Sequence, residues 1–395
     1  MNIDDFVEKM KRIQQILIEF LEDEINIEEN YEVFVETVTE QNMNKDIYQL
    51  ESVFQLINKI GCNHQRGYKF INKIEVVLTH FKKDMLQYFT NSEIFEIFKD
   101  NKRILLFLIQ EKIIIIDEYI VALLTCDEFI KKKYAEYFSP EIKPFFCEQF
   151  INKYKNSNSE LKNVNFIQEI MKNVPEKFYE KRIEGENDNY ICELIRLNKV
   201  NGFDNYINRN KLSFNSYIPK SIFETNSFLI DKDRIKLIEY AAFFGSNDII
   251  KYMQINGKVK LTSSIWYYSI HSQSLELIYN LEINHVLPPF NKYETILKES
   301  IKCHHNSISD KIIPNLIDKK EFQYNNENNF YDNHYRYAVE YHNYCFFPDM
   351  NYKNTFFYLC EFDYHTLVMI YLKEKSIDIN AKIVKKIDNL KMSDC

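Results

Sequence analysis

Residues Leu237 to Gly257 read LIEYAAFFGSNDIIKYMQING, and this stretch decides the fold. Ala241 and Ala242 let a first short helix approach a neighbour closely, and Gly245 offers the left-handed backbone that a tight turn needs. Ile249, Ile250 and Met253 recur at helical spacing as the apolar face of a second helix, which Asn256 and Gly257 are expected to end. The reading is helix, turn, helix. One such unit cannot bury its own apolar face, so copies are expected beside it.

Copies are found. At an offset of 28 residues Tyr240 corresponds to Tyr268, Ser246 to Ser274, Ile250 to Ile278, and Ile255 with Asn256 to Ile283 with Asn284. A third copy lies in LKESIKCHHNSISDKII, displaced by 31 residues from the second, and a more distant one in FFYLCEFDYHTLVMIYLKEKSIDIN. Ile191 to Tyr206 reads as a degenerate pair ahead of them. The expected units are residues 233–260, 261–290, 291–320 and 350–382, with the Asn-rich QYNNENNFYDNH (323–334) as an interrupting loop. They form a repeat region over 186–395, preceded by an irregular helical region over 1–185 and a looser connection at about 139–188 marked by Pro140, Pro144, Pro175 and KYKNSNSE.

The preceding region carries its own helical signals. Asp4 and Asp5 are placed to cap a helix with Phe6, Met10, Ile13, Leu17 and Phe20 on one face. Further helices are expected at Tyr31–Val38, at Ile47–Ile60 with Gly61 as the stop, and at Ile71–Phe81. NSEIFEIF starts another, with Ser92 as cap, and Ile104–Ile109 and Ile113–Ile120 read as short buried helices. The isoleucine run by itself is also compatible with a strand.

Composition agrees with helices joined by short loops. Only 6 Gly and 8 Pro in 395 residues leave little material for the many turns of a sandwich or barrel. The 31 Phe and 28 Tyr are expected mainly as core filler, and a net charge of -8 supplies no field for a nucleic-acid backbone. The start, MNIDDFVEKM, lacks the apolar core of a secretory signal. Ile104 to Leu124 is too interrupted by Gln110, Glu111, Lys112, Asp117 and Glu118 to span a membrane. Eight cysteines without CxxC pairing fit reduced thiols in a cytoplasmic protein.

AAFFGSNDIIKYMQING resembles the ankyrin core pattern of two alanines, a glycine, an apolar pair and a terminal Asn-Gly, and SIDIN (376–380) resembles an ankyrin repeat ending. SIFETNSFLI, LIEYAAFFGS, WYYSIHS and LKESIKCHHN are similar, in this order, to a large family of uncharacterised ankyrin-repeat-like proteins expanded in parasitic protists. CNHQRG and IFEIFKDNKRILLFLI resemble the helical region before the repeats in that family. The resemblance implies an all-α, ankyrin-like helical solenoid whose concave surface binds a protein or peptide. The Thr-Pro-Leu-His opening of ankyrin repeats is absent from every copy, SIWY standing in its place around Trp266, and spacings of 28 and 31 fall short of about 33.

No motif for catalysis stands out. There is no GxSxG, HExxH or phosphate-cradling glycine loop, so no enzyme activity and no cofactor are expected. Cys62 and His64 lack the second ligand pair of a zinc site, and His64 is expected to hydrogen-bond within its turn. Cys303, His304, His305, His334, His342 and Cys345 are the metal candidates. The repeat register instead places His304 and His305 at Gly245 and Ser246, where ankyrin-like turns carry a hydrogen-bonding histidine, and adjacent helical residues point about 100° apart, so no metal is expected. Glu239 and Glu299 read as members of solvated faces. Trp266 and Tyr267 are the candidate partner-binding pair, with Tyr267 the more exposed, because Trp266 aligns with Ile238. The expectation is a non-enzymatic interaction scaffold. The alternatives are a self-assembling structural repeat protein and a metal-dependent enzyme.

Overall fold

Helix signals dominate the chain locally, and the described residues form helices throughout. The computed structural model describes residues 2–64, 68–126, 132–145, 177–318, 327–349, 352 and 354–374; among these it is all-α, with one isolated bridge between Tyr217 and Lys236 and no strand. The first part supplies α1 (Ile3–Glu22), α2 (Ile27–Glu40), α3 (Ile47–Asn63), α4 (Tyr68–His80), α5 (Lys82–Tyr88), α6 (Asn91–Phe98), α7 (Lys102–Gln110), α8 (Glu118–Leu124), α9 (Tyr134–Tyr137) and α10 (Ser139–Ile142). After them come α11 (Phe178–Glu184), α12 (Tyr190–Arg196), α13 (Val200–Arg209), α14 (Ser227–Ile230), α15 (Leu237–Phe243), α16 (Asn247–Gly257), α17 (Ile265–His271) and α18 (Leu275–Ile283). The last are α19 (Tyr293–Lys302), α20 (Asn306–Asp318), α21 (Glu327–Glu340), α22 (Thr355–Glu361) and α23 (His365–Glu374). KYKNSNSE, Pro175, the 323–326 segment and SIDIN lie outside the described residues.

The deciding stretch folds as α15, a turn and α16. Gly245 takes φ +66°, and the equivalent turn positions are also left-handed: Asn198, Gln273, His304 and Asp363. Four of these five are not glycine, so the turn geometry is imposed by the packed helices on either side despite the Cβ clash it carries. The helices pack in pairs, α12 with α13, α15 with α16, α17 with α18, α19 with α20 and α22 with α23. First helices also pack in succession, α12 on α15, α15 on α17, α17 on α19 and α19 on α21. Ser246 Oγ ties one pair to the preceding one by donating to the Ile195 carbonyl at 2.6 Å.

Several helix ends differ from the sequence reading. Gly257 is the last residue of α16, and Lys258 takes the left-handed position with φ 51°. Glycine is needed at 257 for space, since a Cβ there would lie 2.6 Å from Phe214 Cγ. Gly61 likewise does not stop α3 but lies inside it, where a Cβ would meet Ile104 Cδ1 at 2.7 Å. Asn2, not Asp4 or Asp5, caps α1; both acids sit in its first turn, where they complement the helix dipole. Thr90 rather than Ser92 caps α6, in a reciprocal capping box with Glu93. Ile113 to Asp117 is not helical: Lys112 adopts φ 56°, and the Asn91 side chain bonds both the N–H and the carbonyl of Ile115, each at 2.8 Å. Asp117 then caps α8. The Asn-rich interval is helical from Glu327, because Asp332 and Asn333 find partners outside their own helix. Asp332 accepts hydrogen bonds from Tyr352, Asn354 and Tyr358, and Asn333 donates to Glu294.

The apolar interior forms two clusters. One runs through the pairs from Ile191 to Ala338, around Trp266, Tyr240 and Ile296. The other joins the helices of residues 3–142 to Val339, Tyr344, Leu359, Leu367 and Tyr371 near the end of the described chain. α1 packs on α2, α4, α23 and the 3₁₀ turn Tyr344–Phe346, and α23 packs on α3. The Ile3 N–H donates to Glu374 at 3.0 Å, and the Ser52 and Thr366 hydroxyls meet at 3.2 Å. The terminal pair α22/α23 thus covers its apolar flank with the first helices, where an open stack needs a polar capping unit. Phenylalanines 6, 20, 34, 54, 81 and 95 are fully buried, as core filler should be. Among the described residues no helix is long and apolar enough to cross a membrane.

Candidate functional site

Three polar regions stand out, one buried between the apolar clusters, one buried between α17 and α19, and one open beside Tyr267. The buried region grows from the turn after α19. Cys303 ends that helix, His304 takes the left-handed turn with φ 59°, and His305 follows it. α3 delivers His64 at its C-terminal cap, α1 ends on Glu22, and the turn after α17 supplies Gln273. His64 Nδ1 donates to the Cys303 carbonyl at 2.9 Å, which assigns the proton on that nitrogen, and its Nε2 faces Glu22 Oε1 at 3.1 Å. The His64 bonds therefore reach other elements, not its own turn. The Gln273 amide donates to Glu22 at 2.9 Å and to His305 Nδ1, and the His64 and His305 rings lie 4.6 Å apart. Glu22 is held below the usual carboxylate range: burial pushes it up, but His64 and the Gln273 hydrogen bond outweigh that.

A second buried cluster lies between α17 and α19. His271 Nε2 meets Glu299 Oε1 at 2.7 Å, and Lys302 Nζ meets the same oxygen at 3.2 Å. Burial opposes ionisation of Glu299, yet the Lys302 ammonium and the His271 contact beside it bring it down to about 2. Glu299 is thus part of a buried ion group, not of a solvated face. Cys303 Sγ stands 3.5 Å from His271 Nδ1 and 3.7 Å from Nε2, so it follows neither nitrogen's lone-pair direction. That geometry, with Nε2 already engaged, describes an internal ion pair with a sulfur packed beside it.

The six histidines and cysteines singled out in the sequence do not converge. His304 approaches the Lys302 and His342 carbonyls at 3.2 and 3.4 Å, and burial brings its pKa down to about 3. His342 stacks on Tyr364 with ring centres 4.3 Å apart, and His334 packs against Tyr335 and Phe346. Cys345 Sγ accepts from the Gln14 amide at 3.6 Å. Among the described residues, the sets with metal-ligand spacing are Glu22–His64–His305 and His271–Glu299–Cys303. The first set joins His305 to members from distant segments, whereas in the second Glu299 and Cys303 lie one helical turn apart and only His271 comes from another helix. Glu22 and Gln273 carry no local signal that would select them.

The candidate partner-binding pair separates. Trp266 is 1% exposed; its Nε1–H donates to the Val286 carbonyl at 2.8 Å and its ring meets Tyr293 edge-on. It is an inter-helix packing residue, as a core-facing register requires. Tyr267 is partly exposed and lines an open pocket of about 460 Å³ with Phe228, Lys232, Lys292, Lys298 and Tyr337. Two carboxylates also line it, but both are engaged: Glu299 in its ion group and Glu294 by Asn333 at 2.8 Å. The neutral Asn333 amide leaves the Glu294 charge in place, Lys302 offsets Glu299, and Lys298 Nζ lies 3.8 Å from Glu340, so the three lysines exceed the two lining carboxylates by one charge. A larger polar cleft of about 760 Å³ lies where α3 and α6 face the Phe362–His365 turn, with both signs of charge on its walls.

In comparison with known proteins, the chain matches no family model, no curated protein and no solved structure.

Proposed function

We propose that the chain is a non-enzymatic interaction scaffold of the ankyrin-like solenoid kind its sequence resembles, and that it holds an acidic segment of another protein at the Tyr267 pocket. The carrying observation is the convergence of Lys232, Lys292 and Lys298 with an accessible tyrosine on one opening of a chain whose net charge is -8. Lysine ammonium groups supply charge attraction without fixed geometry, and the tyrosine supplies apolar area with a polar tip. The successive packing of α15, α17 and α19 supports the scaffold part, because such stacks present neighbouring first helices side by side. The free cysteines among the described residues, Cys62, Cys126, Cys192, Cys303, Cys345 and Cys360, support a cytoplasmic setting.

The test compares wild type with Tyr267→Ala and Lys298→Glu, using proximity labelling in the source cell followed by anisotropy titrations with acidic peptides from the recovered partners. The expected result is salt-sensitive binding weakened in both variants. Equal binding by wild type and variants, or turnover of a small substrate by the purified chain, overturns the reading. Self-association that rises with concentration in light scattering, without hetero-partner binding, points to the structural alternative.

A further inference from the structure

We propose that Glu22, His64 and His305 form a site for one divalent transition-metal cation of the zinc type, clamping the ends of α1 and α3 to the turn between α19 and α20. One ligand atom from each of the three lies within 4.8 Å of the others. Zinc bound tetrahedrally by nitrogen and oxygen at about 2.1 Å sets neighbouring ligand atoms about 3.4 Å apart. The pair His64 Nε2 and Glu22 Oε1, at 3.1 Å, already stands close to that spacing. Closing the site takes an inward shift of the third ligand and displacement of the Gln273 amide that now bridges Glu22 and His305.

The surroundings match what a metal-binding histidine requires. His64 donates Nδ1–H to the Cys303 carbonyl, the outer-shell arrangement that fixes the tautomer and leaves Nε2 as the ligand. In the neutral ring, that Nε2 lone pair faces a carboxylate oxygen, a contact that calls for a cation or a proton between them. His305 is 2% exposed, and its Nδ1 lone pair accepts the Gln273 amide, so this nitrogen becomes a ligand when that amide gives way. Glu22 keeps 46% of its side chain exposed, so an ion has an entry path and water has access to a fourth position. Two imidazoles and one carboxylate suit zinc better than calcium or magnesium, which prefer oxygen ligands.

The site links the two apolar clusters, since His305 follows residues of the one and Glu22 and His64 end helices of the other. Its role is structural clamping, independent of the Tyr267 pocket.

The experiment uses the full chain purified without a histidine tag, stripped with chelator and titrated with Zn²⁺, and with Co²⁺ as the optical probe. The expected result is about one ion per chain, visible d–d absorption from the cobalt form, and a raised melting temperature that chelator reverses. His64→Ala and His305→Ala should each weaken binding by at least about 100-fold, as loss of a ligand does more than loss of an outer-shell partner. Because these buried changes can unfold the chain, Glu22→Gln at the half-exposed position provides the second variant; it should retain the helical circular-dichroism spectrum and lose affinity. His271→Gln should leave binding unchanged and so localises the ion. Absence of stoichiometric binding in wild type, or equal binding by folded Glu22→Gln, overturns the proposal in favour of an imidazolium–carboxylate pair. Tyr267→Ala should bind metal like wild type, so failure here is separable from failure of the scaffold reading.

Discussion

Replacing Gln14 by methionine tests whether the first helix and the end of the described chain fold as one body. Gln14 is fully buried in α1 and uses both ends of its amide across more than 300 residues. Its Nε2 donates to Asn343 Oδ1 at 2.9 Å, and its Oε1 accepts the Tyr344 N–H at 2.6 Å. Asn343 in turn donates to the Ile301 carbonyl and to Asn306 Oδ1, each at 2.9 Å, so the amide is the root of a network reaching α19 and α20. Methionine preserves length and volume but takes a partner from a buried carbonyl oxygen and a buried N–H. Each loss costs about 1–3 kcal/mol, and the apolar replacement recovers about 1, leaving a net loss of about 3 kcal/mol. At about 1.4 kcal/mol per decade this is a roughly hundredfold faster exchange of the Tyr344 amide by local opening. Hydrogen exchange resolved to that amide, with urea unfolding alongside, measures both quantities. In Gln14→Met/Asn343→Leu the losses should be non-additive by about 1 kcal/mol or more. A loss below about 0.5 kcal/mol with the Tyr344 amide still protected would refute the reasoning.

Three further outcomes are expected. Gly257→Ala, whose Cβ would press on Phe214 at 2.6 Å, should destabilise by about 1–3 kcal/mol in thermal or urea unfolding, whereas the same change at an open helix position would stabilise. Lys102 is 1% exposed, and burial drags its pKa from 10.5 to about 7; its folded form binds fewer protons than the unfolded chain between those values, so its penalty is full below pH 7 and relieved as pH rises toward 10.5. Lys102→Met should therefore stabilise by about 2 kcal/mol at pH 6, allowing for loss of its hydrogen bond to the Ile222 carbonyl, with the gain shrinking by pH 10. His334 is 9% exposed and brought by burial from 6.5 to about 4; its contribution is complete above pH 6.5 and falls away by up to about 3 kcal/mol as pH drops to 4. Urea midpoints across that window should slope less in His334→Phe, and an unchanged slope would contradict the assignment.

The legible parts of the chain were those governed by local rules. The spacing of Ile249, Ile250 and Met253, the left-handed Gly245 and the correspondence of Ser246 with Ser274 mark helix pairs because helix periodicity and turn conformation depend on a few neighbouring residues. The register also pointed Trp266 inward and Tyr267 outward, since one helical step rotates a side chain by about 100°. Helix ends fared less well: at Thr90 neighbouring residues offer the same capping chemistry and the reciprocal bond with Glu93 selects one, and at Gly61 the close approach of Ile104 from α7 uses the glycine for space.

What tertiary structure alone decided is how distant segments meet. Nothing within Glu22, His64 and His305 announces a shared location, and the six metal candidates read from the sequence were grouped by proximity along the chain, which helices do not preserve in space. The same holds for α22 and α23 closing on α1 and α3. Sequence by itself determined most of the helical segments and their apolar faces, because those follow from short-range backbone and side-chain preferences; Ile113 to Asp117 and the stretch from Glu327 depart from that reading where side chains of other segments bond to them. The choice of which apolar face covers which, and hence where polar groups are trapped between them, is made by shape fit and burial summed over the whole chain.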